Sequence, residues 1–129
     1  MKVVRNSAGF TMVELLVVVA IVGVLAAIAI PQFALYRQKA YDARAQADLR
    51  NGATAEEALP ASGGVYVACA TAAACKNPTL PGFSPSSGTT MAFSINGTAT
   101  TFTGTSKNTL GTGVTCNWDS TNGGLTGCS

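Results

Sequence analysis

The chain has 129 residues, with eight Lys or Arg, six Asp or Glu and no histidine, for a formal net charge of +2. This length allows one domain with an extension rather than two full domains. The missing histidine excludes Cys/His zinc sites, haem attachment through a motif that ends in His, and every His-based catalytic triad. Lys2 and Arg5 account for the net charge, and an otherwise neutral chain gives no reason to expect nucleic acid binding.

A short basic leader precedes a long apolar segment. Residues 1–9 are MKVVRNSAG, and residues 15–30 contain no polar side chain. Counted from Phe10, the apolar stretch reaches about 21 residues and would extend about 31 Å as a helix, enough to cross the hydrocarbon core of a bilayer. The basic leader is expected to stay on the cytoplasmic side.

Two kinds of export signal fit this segment. An ordinary secretory signal peptide would be cut near Ala27-Ile28-Ala29, whereas the alternative signal would lose only the leader and keep the apolar helix. Glu14 favours the alternative, because a carboxylate at a bilayer centre costs about 2.5–3.5 kcal/mol and a discarded peptide does not need one. Pro31, just after the candidate cut, also argues against ordinary processing there.

The junction between leader and apolar segment carries a specific motif, GFTMVEL at residues 9–15. It resembles the class III signal peptide of type IV pilins and of type II secretion pseudopilins. The resemblance implies that prepilin peptidase, a membrane enzyme, cleaves after Gly9 and methylates the new N-terminus at Phe10. Glu14 matches the glutamate of this family, and Pro31 matches the proline that interrupts its helix.

Further residues extend the resemblance to the short type IVa pilins of the Geobacter type, namely FALYRQKAY at 33–41 and ADLRN at 47–51. The resemblance implies a precursor in the inner membrane that the pilus assembly machinery assembles into a homopolymer of identical subunits. That polymer would be an extracellular pilus at the cell surface. We expect no cofactor and no metal.

Glu14 is interpreted as the residue that sets the stagger between helices in a filament. It lies one helical turn from Phe10, so its carboxylate could pair with the Phe10 ammonium of a neighbouring subunit. An unpaired carboxylate in a dry bundle would be costly, so only a matched stagger would be stable. The alternative is a side chain that only reaches back to the membrane interface. Thr11, which can bond to nearby backbone, is expected to support assembly.

Gly23 and Pro31 are expected to weaken the helix. Pro31 lacks an amide donor, and its ring clashes with the carbonyl four residues earlier. A kink or local melting between the two residues would let the helix bend or extend in a filament. A fixed, static kink is the alternative.

The helix is predicted to occupy residues 10–59, up to Pro60, and its second half is amphipathic. Tyr41, Ala45, Leu49 and Ala53 recur every four residues as an apolar stripe, with the charges on the other faces. We therefore expect this half to carry the head, while the apolar half packs with other copies.

Residues 60–129 are predicted to form an extracellular, disulfide-bonded, β-rich head, which makes the fold class α+β: a long N-terminal helix on a small antiparallel sheet. Asn96-Gly97 indicates a two-residue hairpin turn. The predicted strands are Val65–Cys69, Met91–Ile95, Thr98–Thr103 and Val114–Trp118, the predicted loops are 86–90 and 104–113, and the predicted core aromatic residues are Tyr66, Phe93, Phe102 and Trp118.

The four cysteines all lie in this head, and an even count in a short exported region indicates two disulfides. Three connectivities are possible. Local pairing of Cys69 with Cys75 and of Cys116 with Cys128 is favoured, because each pair closes a short loop. Four free, buried cysteines are the alternative.

These features favour a structural pilus subunit for adhesion, motility or surface contact. A pseudopilin of a type II secretion system is the first alternative. An electron-conducting filament is the second, suggested by Phe10, Phe33, Tyr36 and Tyr41, but Phe10 and Phe33 would lie about 35 Å apart along one helix. No catalytic constellation is visible, so an enzyme is not expected.

Overall fold

The computed structural model describes residues 9–129, which separate into two units, one ending at Leu35 and one comprising Tyr36–Ser129. One helix, α1, runs from Met12 to Ala61 and contributes to both. The second unit adds four β-strands, so the fold class is α+β with one long helix and one antiparallel sheet, as predicted from the sequence.

The end of α1 lies two residues beyond the predicted boundary. Pro60 sits inside the last turn, and the helix ends at Ala61 rather than at residue 59. The hydrogen bonds that close this turn do not involve the Pro60 nitrogen, which has no hydrogen to donate. The Gly64 N–H donates to the Leu59 carbonyl at 2.9 Å. Gly63 has a φ of 88°, a left-handed conformation that suits glycine at a helix C-terminus.

The sheet is an antiparallel meander in which neighbouring strands follow chain order. In β1 and β2 side chains alternate between buried and exposed, so the inner face of the sheet is buried against α1. The strands are β1 at Thr89–Ile95, β2 at Phe102–Asn108, β3 at Cys116–Asp119 and β4 at Gly124–Cys128, with a short 3-10 helix at Ser120–Asn122.

Several strand predictions were wrong in position. Val65–Cys69 is not a strand, and only Cys69 bridges to Phe93 of β1. The predicted loops at 86–90 and 104–113 are also partly wrong, since β1 begins at Thr89 and β2 continues to Asn108. The short polar residues in these segments alternate in burial along the strands and favour no other structure strongly enough to prevent pairing.

The β1–β2 turn is longer than the two residues that Asn96-Gly97 indicates. The Asn96 N–H donates to the Thr101 carbonyl at 3.1 Å, so the turn spans the residues between them. The Asn96 side-chain oxygen accepts from the backbone N–H groups of Thr100 and Thr101, at 3.1 and 3.3 Å. The side chain of Asn96 thus organises a wider turn, and β2 starts at Phe102 instead of Thr98.

The core of the head lies between the inner face of the sheet and the second half of α1. Of the predicted helical stripe, Ala45, Leu49 and Ala53 are buried, and Tyr41 is half-buried. Phe93 and Phe102 form the aromatic centre, with ring centroids 5.8 Å apart, and Tyr66 packs against Phe102 at 4.9 Å. The predicted core aromatics therefore belong to this cluster, together with half-buried Trp118.

Charges were predicted on the faces of the helix outside the apolar stripe, and two of these charged residues, Asp48 and Glu56, are buried. Each carboxylate turns toward the head and accepts hydrogen bonds from a connecting segment. Asp48 accepts from the Ser86 N–H and hydroxyl, both at 3.0 Å, and Glu56 accepts from the Val67 N–H at 3.0 Å. The connecting segments have few partners in the sheet, so the helix supplies their acceptors.

Candidate functional site

The candidate site is the start of the described chain, where Gly9 and Phe10 precede the helix. Both residues are exposed, and the Phe10 side chain is 87% accessible. Because α1 begins only at Met12, the Gly9–Phe10 peptide lies outside the helix. A peptide bond outside regular structure is open to a protease, which fits the predicted cleavage after Gly9.

Thr11 and Glu14 form a reciprocal capping box at the N-terminus of α1. One carboxylate oxygen of Glu14, Oε2, accepts from the Thr11 N–H at 2.9 Å and from the Thr11 hydroxyl at 2.8 Å. In return, the Glu14 N–H donates to the Thr11 hydroxyl oxygen at 3.2 Å. The pair satisfies donors that would otherwise be free at the helix start. It also holds the carboxylate at the N-terminal end of the helix, beside Phe10.

The sequence carries the signal for this box in the pattern Thr-x-x-Glu at residues 11–14, followed by an apolar run. The prediction gave Thr11 only a supporting role through backbone bonding. The structure assigns it a specific partner, Glu14, so these two predicted assembly residues lie together. The second oxygen of Glu14, Oε1, accepts none of these bonds.

After the capping box, the helix is apolar on every side and uncovered. Its most apolar 18-residue window has a mean hydropathy of 3.0 and no buried residue, so α1 is long and apolar enough to cross a membrane. The exposed fractions of its large side chains, from Leu15 to Phe33, are between 52% and 70%. A continuous apolar surface of this kind requires lipid or protein around it.

Gly23 and Pro31, the predicted kink residues, both lie inside α1, which is one uninterrupted helix from Met12 to Ala61. A β-carbon placed on Gly23 would meet no atom within 4 Å, so the glycine is not required for packing within the chain. A kink or local melting at these positions stays a prediction.

The head contains two disulfide bonds, Cys69–Cys75 and Cys116–Cys128, which are the local pairs favoured by the sequence. Cys69 also bridges to β1 through two backbone hydrogen bonds with Phe93, of 2.8 and 3.0 Å. The second disulfide joins directly opposed residues of β3 and β4. The first disulfide thus closes a short loop in the segment after the helix, and the second links the last strand to β3.

Ring contacts do not connect the aromatic residues of the helix. Within residues 9–129, the close ring pairs are Tyr66–Phe102 and Phe93–Phe102, both in the head. Among the same residues, no group of three His, Cys, Asp or Glu side chains could hold a metal ion.

Comparison with known proteins gives the family of this N-terminal segment. A family model described as "Prokaryotic N-terminal methylation motif" matches residues 4–30, which include Gly9, Phe10 and the capping box. The match thus covers the leader from residue 4, the junction and the apolar segment.

Curated relatives are pilins and fimbrial proteins. A "Fimbrial protein" of Pseudomonas aeruginosa is 44% identical over 67 residues, which are 52% of this chain and 44% of that protein. The "Type IV major alpha-pilin" of Moraxella bovis is 46% identical over 50 residues, 39% of this chain and 31% of that protein. The "Type IV major pilin protein PilA" of Myxococcus xanthus is 41% identical over 54 residues, 42% of this chain and 24% of that protein.

These matches span less than half the length of each of the three relatives. No solved structure matches the chain. The relatives are structural proteins, and the likeness to Geobacter-type pilins stays a prediction. Residues 4–30 thus match a prokaryotic N-terminal methylation motif, and over part of its length the chain is similar to type IV pilins and fimbrial proteins.

Proposed function

We propose that the chain is the structural subunit of a type IV pilus, made as a membrane-anchored precursor and polymerised through the first half of α1. The observation that carries this proposal is the uncovered apolar segment, which has no buried residue in its most apolar window and a single carboxylate at its start. In the membrane, lipid would cover this surface. In a filament, the same segments of other copies would replace the lipid.

Processing supplies the second part of the proposal. Prepilin peptidase would cut after Gly9 and methylate Phe10, since the matched motif includes both residues. The cut would create an ammonium group at Phe10, four residues before Glu14 and one residue before the capping box begins at Thr11. In the filament, the free Oε1 of Glu14 would pair with the Phe10 ammonium of a neighbouring subunit, while Oε2 stays bound to Thr11.

The capping box supports this arrangement because it restricts the carboxylate before assembly. A long side chain loses rotamer freedom when it forms an ion pair, and Thr11 has already removed part of that freedom in the free subunit. A preorganised carboxylate would select neighbours at one stagger. The extracellular head would then cover the outside of the pilus.

The experiment that tests the proposal combines microscopy with mass spectrometry. Filaments sheared from the cell surface should contain this chain as their main protein. The mature chain should begin at Phe10 and carry one methyl group on its N-terminal nitrogen. A secreted chain that begins at Ile30, after Ala27-Ile28-Ala29, would contradict the proposal, because the apolar segment would have been discarded.

A further inference from the structure

In residues 9–129, acidic and basic side chains have different surroundings. Five of the six carboxylates accept hydrogen bonds within the chain, and the acceptors are Glu14, Asp42, Asp48, Glu56 and Asp119. The same residues hold six Lys or Arg, the eight of the chain less Lys2 and Arg5. Among these six, the structure gives a charged-group contact only to Arg44, whose guanidinium lies 5.3 Å from the centre of the Tyr41 ring. The basic side chains are thus available to an external partner.

Two of these free cations lie shortly after the apolar segment, which ends at Ile30 and is followed by Pro31, Gln32 and a second short apolar stretch at 33–35. Leu35 is the last large aliphatic side chain exposed on that stretch, and Arg37 and Lys39 follow it on the same helix, both exposed. At 1.5 Å per residue they lie about 3 and 6 Å beyond Leu35 along the helix. Tyr36, between them and Leu35, is 67% exposed. Tyrosine with Lys or Arg at the end of an apolar helix is the side-chain set found at membrane–water interfaces.

The nearest carboxylate does not neutralise this pair by direct contact. Asp42 follows Lys39 by three residues, a spacing at which helix side chains can pair. Its two oxygens instead bind the loop after β2, accepting from the Thr112 N–H at 3.1 and 3.2 Å and from the Thr112 hydroxyl at 2.6 Å. Arg37 and Lys39 therefore keep their donors free.

We propose that Tyr36, Arg37 and Lys39 form a binding surface for the phosphate groups of anionic lipids, which holds the unassembled subunit at the outer face of its membrane. The proposal rests on the membrane-anchored subunit proposed above. Lipid phosphates are the anions present at this depth, and Arg and Lys bind phosphate through charge-assisted hydrogen bonds.

A second copy of this chain is a poorer source of anions for the same cations. Glu57 is exposed and is the one carboxylate of residues 9–129 that accepts no hydrogen bond from within them. Apart from Glu57 and the free Oε1 of Glu14, the carboxylates of another subunit already accept hydrogen bonds within their own chain and would have to share or give them up, whereas a lipid phosphate would not.

The test uses the full chain reconstituted in phosphatidylcholine vesicles that contain phosphatidylglycerol, at low protein-to-lipid ratio. Spin-labelled lipids of both types report which lipid is immobilised next to the protein. The test variant is Arg37→Gln/Lys39→Gln. The matched control is Arg50→Gln/Lys107→Gln, which removes two equally exposed cations, one about 22 Å beyond Leu35 along the helix and one in the head. Lys2 and Arg5 are present in every variant, so any lipid binding by these two residues is the same in all of them.

The wild type should bind phosphatidylglycerol in preference to phosphatidylcholine. In the test variant, the ratio of the two affinities should fall by up to about fivefold for each cation removed. The control should keep the preference, Arg37→Lys should retain it, and about 0.5 M salt should weaken it. An equal preference in the test and control variants would overturn the proposal, as would a wild type with no preference. Resistance to carbonate extraction is measured in parallel. Release of the wild type there would refute the anchor itself, whereas retention without lipid preference would refute only the lipid surface.

Discussion

Two leucines of the same helix show how the two regions of the molecule differ. Leu16 is 62% exposed, whereas Leu49 is fully buried under the sheet. The head completes its own core with strands and two disulfides, and this core covers the buried stripe of the second half of α1. The segment before Tyr36 has no layer over it among the described residues. The comparison shows that one helix buries its second segment within the chain and leaves its first, apolar segment exposed.

The largest effect is expected from Glu14→Ala, which tests whether assembly through the apolar segment depends on its one carboxylate. We expect it to abolish or strongly reduce the yield of sheared filaments. Removal of the carboxylate makes the segment more apolar, so membrane insertion and cleavage after Gly9 should remain. Glu14→Asp should be intermediate, because the charge remains while its reach shortens. The measurement is filament yield together with the ratio of cleaved to uncleaved subunit.

Glu57→Ala is the matched control for this prediction. Glu57 lies on the same helix and is exposed, but it accepts no hydrogen bond from residues 9–129 and belongs to the second unit, Tyr36–Ser129. It should leave filament yield unchanged. Normal filaments from Glu14→Ala would show that apolar packing alone sets the stagger, and the role proposed for Glu14 would be wrong.

Removal of the second disulfide should weaken the head without affecting the apolar segment. In the chain-entropy model, a loop as short as that of Cys116–Cys128 contributes about 3 kcal/mol to the free energy of unfolding. The Cys116→Ser/Cys128→Ser variant should lose about that amount in urea unfolding, followed by the fluorescence of Trp118, the single tryptophan of the chain. Its integration into membranes should be normal. Non-reducing peptide mapping should recover both local pairs, and four free thiols would refute them.

Adding one methyl group at either of two glycines of α1 tests the difference between the two regions. A β-carbon on Gly52 would lie 2.9 Å from two ring atoms of Phe93, a side chain that is itself 1% exposed. Gly52→Ala should therefore destabilise the head by about 1–3 kcal/mol. Gly23→Ala should leave the head unchanged, because its β-carbon meets no atom within 4 Å. Alanine favours helix over glycine by about 1 kcal/mol, so the helix itself should not lose stability. Equal unfolding midpoints for Gly52→Ala and wild type would contradict this packing.

Sequence patterns predicted which elements the fold contains better than they predicted where each element begins and ends. Apolar spacing predicted the buried stripe at Ala45, Leu49 and Ala53, because helical period and core packing agree there. The start of β2 was missed because the hydrogen bonds of the Asn96 side chain, which widen the turn, depend on three-dimensional geometry. Burial of Asp48 and Glu56 was missed for a related reason: their partners lie 38 and 11 residues away in the chain.

The candidate site was more predictable because its residues are neighbours in sequence. Gly9, Phe10 and Glu14 fall within one short motif, and the Thr11–Glu14 box has its own local pattern, Thr-x-x-Glu. What lies beyond the sequence is the intermolecular half of the site. In the proposed filament, the partner of the Glu14 carboxylate would belong to another copy.

The smallest effect concerns Glu56, which tests how completely the head isolates its core from water. Burial raises the pKa of the Glu56 carboxyl, and the hydrogen bond from the Val67 N–H only partly opposes this effect. The second carboxylate oxygen, Oε1, is buried and has no partner among residues 9–129. A raised pKa means that the folded state binds the proton more tightly than the unfolded state. The stabilisation by this proton is complete below the unfolded pKa, near 4.5, and is lost as pH rises through the folded pKa.

Glu56→Gln should therefore raise the unfolding temperature of the head at pH 7 and remove this loss of stability with rising pH. Glutamine keeps an acceptor for the Val67 N–H and carries no charge that burial would penalise. Glu57→Gln is the control, because it removes an exposed carboxylate one residue away and should change neither quantity.

Asp119 titrates in the opposite sense: the Thr121 hydroxyl and N–H lower its pKa, so its contribution is lost as pH falls. Thermal unfolding at several values between pH 4 and 8 separates the two, since only the Glu56 component disappears in Glu56→Gln. An unfolding temperature that is lower in Glu56→Gln than in wild type at pH 7 would show that the buried carboxylate is stabilised by a partner beyond Val67.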